Sequence, residues 1–144
     1  MNIRNATYRD APAIKLLLEA LGYKTSTILL VSQLEKLFGQ NDHQVLVYEL
    51  NKDVLGFISI HYLPQLGFDA ELVIITYLSV DETVSDQSIG AALEEYVAAQ
   101  AIKRKCDRIQ VHCSEWRAPT HKFYKQQGYQ EYPQYYTKRL IYAE

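Results

Sequence analysis

Charge of neither sign dominates these 144 residues: 15 Lys and Arg stand against 17 Asp and Glu, for a formal net charge of −2. That balance gives no electrostatic case for nucleic acid or an anionic membrane surface as a partner. No apolar run approaches the roughly 18 residues that would suggest a membrane span. The opening segment, Met1 to Thr7, has no apolar stretch of the kind that heads a secretion signal. Cysteine is scarce as well, with Cys106 and Cys113 the only two. Two cysteines without a secretion signal are expected as free thiols in the reducing cytoplasm. They form no C-x-x-C with each other, and no H-x-x-x-H spacing accompanies them, so no metal site is expected. There is no internal repeat, linker or low-complexity stretch, and a single domain over residues 1–144 is expected, large enough to bury a proper core.

What is present is an ordinary globular composition, 48% apolar and 22% charged, with one surplus: twelve tyrosines. Some of these belong in a core; others suit a cleft that needs apolar walls with polar tips. Ile3 to Thr7 alternates as a short strand. Asp10 stands ahead of Pro12 where a helix would begin, and Ile14, Leu17, Leu18 and Leu21 repeat at helical spacing up to Gly22. Thr25, Ser26 or Thr27 caps a second helix, with Leu30, Val31, Leu34, Leu37 and Phe38 as its stripe. Two strands, Gln44–Leu50 and Val54–Leu63, flank Asn51-Lys52-Asp53 as a hairpin. Glu71 to Val80 is the most continuously apolar strand and belongs at the sheet centre. A polar loop, Asp81 to Ser88, leads to a helix ending in Lys103-Arg104-Lys105, where cations suit the dipole. A strand over Asp107–Cys113, a helix, and strands from Tyr129 and over Tyr135–Ile141 complete the order. The expectation is an α/β fold: a mostly antiparallel mixed sheet of six to seven strands with helices on both faces.

The richest stretch is Arg117-Ala-Pro-Thr-His-Lys-Phe-Tyr-Lys-Gln-Gln-Gly-Tyr129. Pro119 suits a first helical turn and Gly128 a left-handed cap, with Phe123 and Tyr124 between them. This R-x-x-x-H-x-F-Y-x-x-x-G-Y pattern, in this position and element order, resembles the second half of the GNAT superfamily of N-acetyltransferases, and the agreement of order spans nearly the whole chain. The resemblance implies an acetyl-CoA-dependent N-acetyltransferase that acts by direct attack of an amine on the thioester. The acceptor would be a primary amine of a small molecule or peptide.

The family's cofactor signature, R/Q-x-x-G-x-G/A at a strand-to-helix turn, aligns with Ser85-Asp86-Gln87-Ser88-Ile89-Gly90. Gly90 matches; Ser85 and Ser88 depart from the pattern, and Asp86 adds negative charge. By resemblance the pyrophosphate would rest on the main chain of Gln87, Ser88, Ile89, Gly90 and Ala91. The pantetheine arm would pair with Leu78, Ser79 and Val80 as a short extra strand. Arg117 is grouped with the cofactor residues, although a substrate carboxylate, a loop carbonyl or a surface ion pair would serve it as well.

Tyr124 is the expected proton donor to the departing thiolate, since a Tyr hydroxyl stays protonated at neutral pH; the alternative is a core helix aromatic, unless Phe123 fills that place. Glu71 is the expected base, with His112, Glu115 and His61 as rivals, solvent as a further alternative, and a solvent-facing carboxylate as the plain reading of Glu71. Tyr132, Tyr135, Tyr136 and Tyr142 crowd the C-terminal region as a possible homodimer surface. The irregular Ser85–Gly90 loop leaves open a different class, a protein that binds CoA or a partner without turnover.

Overall fold

A computed structural model describes residues 2–84, 88–112, 118–131 and 136–140. The chain's contacts divide into two compact units, residues 1–112 and 113–144. In the first, strand β1 (Ile3–Asn5) leads through a single 3₁₀ turn (Tyr8–Asp10) into helix α1 (Ala11–Ala20), followed by α2 (Thr27–Phe38). Strands β2 (His43–Leu50), β3 (Asp53–Leu63) and β4 (Leu72–Val80) come next, then helix α3 (Ser88–Lys103) and strand β5 (Arg108–Val111). The second unit contains helix α4 (Ala118–Gln126).

The 3₁₀ turn that leads into α1 is set by a reciprocal cap. Thr7 accepts from the Arg9 N–H, and Asp10 accepts from the Thr7 N–H at 2.7 Å. Asp10 thus works three residues inside the cap, and it is buried. Arg4 grips it with two hydrogen bonds of 2.8 and 2.9 Å. Burial pushes the Asp10 carboxyl up, but the bonds from Arg4 and Thr7 outweigh it and hold the group below the usual carboxylate range. Ser26 caps α2 by accepting from the Leu29 N–H.

The sheet order is β1-β2-β3-β4-β5, antiparallel except for the β4–β5 pair, which the α3 crossover makes parallel, so among the described strands β3, and not the Glu71–Val80 segment expected there, holds the centre. The expected mixed sheet with helices on both faces is therefore present, but with five strands among the described residues rather than six to seven. The difference lies at the C-terminus: residues 129–131 and 136–140 carry no strand. Asn51 and Lys52 both take positive φ, as a two-residue hairpin turn with the twist of its strands requires.

Strand alternation sends Val45, Val47 and Phe57 to the face covered by α1 and α2, where they pack with Ile14, Leu17, Leu18, Leu30 and Leu34. The alternate residues, among them Leu46, Ile58 and Ile60, are equally buried on the α3 face. Gly56 lies on that face. A Cβ there would stand 3.2 Å from the Ile89 side chain and from the Ser79 carbonyl, so the missing side chain is what lets α3 approach.

In the second unit α4 ends as the sequence predicts. Gly128 has φ +93°, its N–H bonds to the Lys125 carbonyl, and the Tyr129 N–H bonds to the Tyr124 carbonyl. Tyr129 does not open a strand; its ring packs edge-on against Tyr124, centroids 5.3 Å apart.

Candidate active site

β4 is unlike the other strands in that its two halves differ. From Leu72 to Ile75 it pairs with β3 on one side and β5 on the other. The parallel ladder then stops at Ile75–Val111. The β3 register shifts at the same place: Ser59 faces Tyr77, but Ile60 faces Ile75, leaving Thr76 as an extra residue on β4. This is a β-bulge, which bends its strand and increases the local twist. Thr76 is held there by its hydroxyl, which donates to the Ser59 carbonyl at 3.0 Å. Among the described residues no strand pairs with Thr76–Val80 on the β5 side.

The open edge can be assigned atom by atom. The Asp81 N–H donates to the Leu55 carbonyl at 2.8 Å. Antiparallel pairing alternates, so Tyr77 and Ser79 also turn their main-chain groups toward β3, while Leu78 and Val80 turn theirs outward. Of the three residues expected to hold an extended ligand, Leu78 and Val80 turn main-chain donors and acceptors to this edge that no strand pairs with among the described residues. Ser79 does not; its hydroxyl is also used, donating to the Leu17 carbonyl of α1 at 2.9 Å.

α3 begins close by. Ile89 turns its side chain inward against Gly56, which leaves only its main chain for a ligand. Gly90 is buried at the third helical position and Ala91 is half-buried, so small residues occupy the first turn. Asp81 accepts from the Thr83 N–H and hydroxyl at 2.9 and 2.8 Å, which keeps its carboxyl below the usual range and fixes the loop's start. Gln87 and Arg117, expected among the binding residues, lie outside the described residues, as do Ser85, Asp86, Cys113 and Glu115.

Glu71 is not brought to this edge. It precedes β4 and accepts two hydrogen bonds from Arg104, at 2.7 and 3.2 Å. Arg104 in turn lies over the Tyr62 ring, 3.8 Å from its centroid. The Asp107 N–H donates to the Glu71 carbonyl at 2.8 Å. Seven residues of strand separate Glu71 from Leu78, about 23 Å at roughly 3.3 Å per residue. Glu71 therefore ties the end of α3 and the start of β5 to the closed end of β4, which is an architectural role. His61, a rival for the base, stacks obliquely beside the buried His43, centroids 5.6 Å apart. A concavity of about 730 Å³ also opens at the closed end, lined by His43, Tyr62, Gln100, Lys103 and Arg104 among others. It does not touch Leu78, Val80 or Gly90, and its size does not make it the site.

In its own unit Tyr124 is buried and packs edge-on against Phe123 and Tyr129. Phe123 is the more exposed of the adjacent pair, the reverse of the expected division. Lys122 and Lys125 are exposed, and Lys125 approaches Glu131 at 3.8 Å. Tyr136 is exposed; Tyr132, Tyr135 and Tyr142 lie outside the described residues. Cys106 is a free thiol. Among the described residues no three His, Cys, Asp or Glu converge as a metal site, and no helix is long and apolar enough to cross a membrane.

The features missed from the sequence are the bulge at Thr76 and the alternation it leaves on the open edge. Thr76, the one polar residue between Leu72 and Tyr77, is the signal that could have marked the bulge.

Solved structures share this architecture. A transcriptional regulator from Bacillus halodurans C-125 superposes with a TM-score of 0.84 over 97% of this chain and 98% of its own, at 17% identity. An aminoglycoside acetyltransferase from an uncultured soil metagenomic sample gives 0.81 over 96% and 95%, at 21% identity. A ribosomal-protein-alanine N-acetyltransferase from Brucella melitensis biovar Abortus 2308 gives 0.79 over 96% and 97%, at 18% identity. At such identities these likenesses speak for the fold alone. No protein of curated function matches the chain. The family model of the GNAT acetyltransferases, however, matches residues 9–129, most of the chain and both of its units, and on that match, with the bulged strand β4 leading to a small-residue helix start, the chain belongs to the acetyltransferase (GNAT) family.

Proposed function

We propose that this protein transfers an acetyl group from acetyl-CoA to a primary amine by direct attack. The observation that carries the reading is the open edge of β4, where Leu78 and Val80 turn outward main-chain donors and acceptors that no strand pairs with among the described residues, a short loop away from the Gly90 helix start. An extended arm with amide groups can bind there as a strand would. The first turn of α3 offers main-chain N–H groups and the positive end of its dipole to phosphate, and Gly90 and Ala91 keep side chains out of the way. Acetyl-CoA, when bound, supplies the thioester.

The chain's own contribution is then mainly to align the amine with that thioester, the effect that accounts for most of the rate when two reactants are held in register. Tyr124 is proposed to give its hydroxyl proton to the departing thiolate, on the strength of its motif. Glu71 is committed to Arg104, and the amine's proton is assigned to solvent.

A second reading has its own observation: Ser85 and Ser88 replace two positions of the family's phosphate-binding pattern, as expected of a protein that binds CoA without turnover. Two measurements separate them. Acetyl-CoA should raise the melting temperature under either reading, because it binds only the folded state, and Gly90→Val should remove that shift. Thiol release with a panel of primary amines is expected only of the transferase. A melting shift with no thiol release from any amine favours the second reading; no shift at millimolar acetyl-CoA defeats both.

A further inference from the structure

We infer that the acceptor is a monoamine carried on an apolar body, an aryl-alkyl or branched-alkyl amine, and not a polycation. This rests on the transferase reading above and concerns the face of β4 turned away from α3. Tyr77, on the open half of β4, points to the same side as Ser79, whose hydroxyl reaches α1. The Tyr77 ring meets Tyr23 edge-on, centroids 5.3 Å apart and planes at 85°. Tyr23 belongs to the connector between α1 and α2, so two tyrosines wall the open edge on this side.

The same connector runs into the first turn of α2, where two large apolar side chains are left uncovered. Ile28 is 86% exposed and Leu29 53% exposed, while the buried stripe of that helix is Leu30 and Leu34. The charge of this wall is equally one-sided. Between Glu19 and Glu35 there is no carboxylate, and Lys24 is the only charged residue. Glu19 is itself within 3.3 Å of Lys15.

An acceptor with several ammonium groups sheds water from them on binding and needs carboxylates or hydrogen-bond acceptors in exchange. Between Glu19 and Glu35 this wall supplies no carboxylate, only neutral hydroxyls such as those of Thr25 and Ser26, and Lys24 repels a second cation. The Ser79 hydroxyl, two residues along this face from Tyr77, already donates to the Leu17 carbonyl. An apolar body on the amine, by contrast, covers Ile28, Leu29 and the ring of Tyr23.

The test measures kcat/KM by thiol release from acetyl-CoA with the full chain. Phenethylamine and isoamylamine represent the apolar monoamines, spermidine and kanamycin the polycations. We expect the monoamines to lead by about tenfold or more, the discrimination an apolar contact of this size provides. Ile28→Glu and Leu29→Glu should narrow the ratio severalfold toward the polycations, and since an acid in the first turn suits the helix dipole, α2 should hold. A wild-type preference for the polycations overturns the inference and leaves the transferase reading standing. A ratio that neither variant moves overturns the assignment of this wall. Failure of every amine, with the acetyl-CoA melting shift intact, removes the transferase reading and the inference with it.

Discussion

The two ends of β4 share a strand but not a task. At the closed end, Leu72–Ile75 is hydrogen-bonded on both sides, and the Glu71–Arg104 pair and the Asp107–Glu71 bond draw helix and strand together. At the open end one ladder is missing, a bulge turns the strand, and Leu78 and Val80 present main-chain groups with nothing described across from them. The lesson is that the proposed binding capacity resides in the backbone and in pairing withheld. The charged and concave features that attract notice, Glu71 and the cavity near His43, stand at the end that holds the fold together.

Proline substitution breaks this comparison most sharply, because it deletes one N–H at a time. Ser79→Pro removes a donor to β3 inside the sheet and should cost about 3 kcal/mol or more, enough to unfold a marginal domain. Val80→Pro removes a donor that faces the open edge, a placement proline tolerates. It should fold, with a circular-dichroism spectrum like wild type, and lose tenfold or more in acetyl-CoA affinity by calorimetry. Equal damage from both substitutions would erase the distinction between the two sides of the strand.

Next in size is Tyr124→Phe. The ring contacts with Phe123 and Tyr129 survive the change, so stability and acetyl-CoA binding should hold. The loss of a proton donor should lower kcat by about 100-fold, the lower end for general acid catalysis because a thiolate leaves well. Tyr129→Phe, which also keeps its ring, should leave kcat nearly unchanged.

Glu71→Gln probes the closed end. With both partners partly exposed, the pair with Arg104 is worth about 1 kcal/mol or less. Melting should fall slightly and steady-state turnover should not change. A hundredfold loss of kcat would restore Glu71 as a base.

The smallest effect is one of pH, also at the closed end. Burial, then the neighbouring His61, push the His43 imidazole below its ordinary value, with the Asp42 carboxylate opposing them from 3.7 Å. The unfolded chain therefore binds a proton at higher pH than the folded one. Stability should fall as pH drops from about 6.5 toward the depressed value, in proportion to the protons that unfolding takes up. His43→Gln should flatten the melting temperature against pH between about 7 and 5. An unchanged slope would place the titration elsewhere.

How much of this was legible in the sequence divides along the same line. Local signals carried far: the hairpin turn at Asn51-Lys52, the Gly128 cap and the strand–helix order all follow from residues within a few positions of each other. The placement of Glu71 away from the open edge could be read from a quantity the sequence does contain, since a seven-position offset along an extended strand sets it about 23 Å from Leu78. The bulge at Thr76 had only one polar residue to mark it, because register depends on partners distant in the chain and β4 otherwise reads as one continuous apolar strand. Of the strands expected from Tyr129 and over Tyr135–Ile141, the described residues 129–131 and 136–140 form none, since a strand depends on pairing partners that local sequence does not specify.

Amide hydrogen exchange, read residue by residue by NMR with and without acetyl-CoA, tests the central claim most directly. The Leu78 and Val80 amides face the open edge and should slow markedly, about tenfold or more, when a ligand pairs with them, while Ser79 and Phe57, already bonded within the sheet, should change far less. Saturating acetyl-CoA that leaves Leu78 and Val80 exchanging as before would contradict the account.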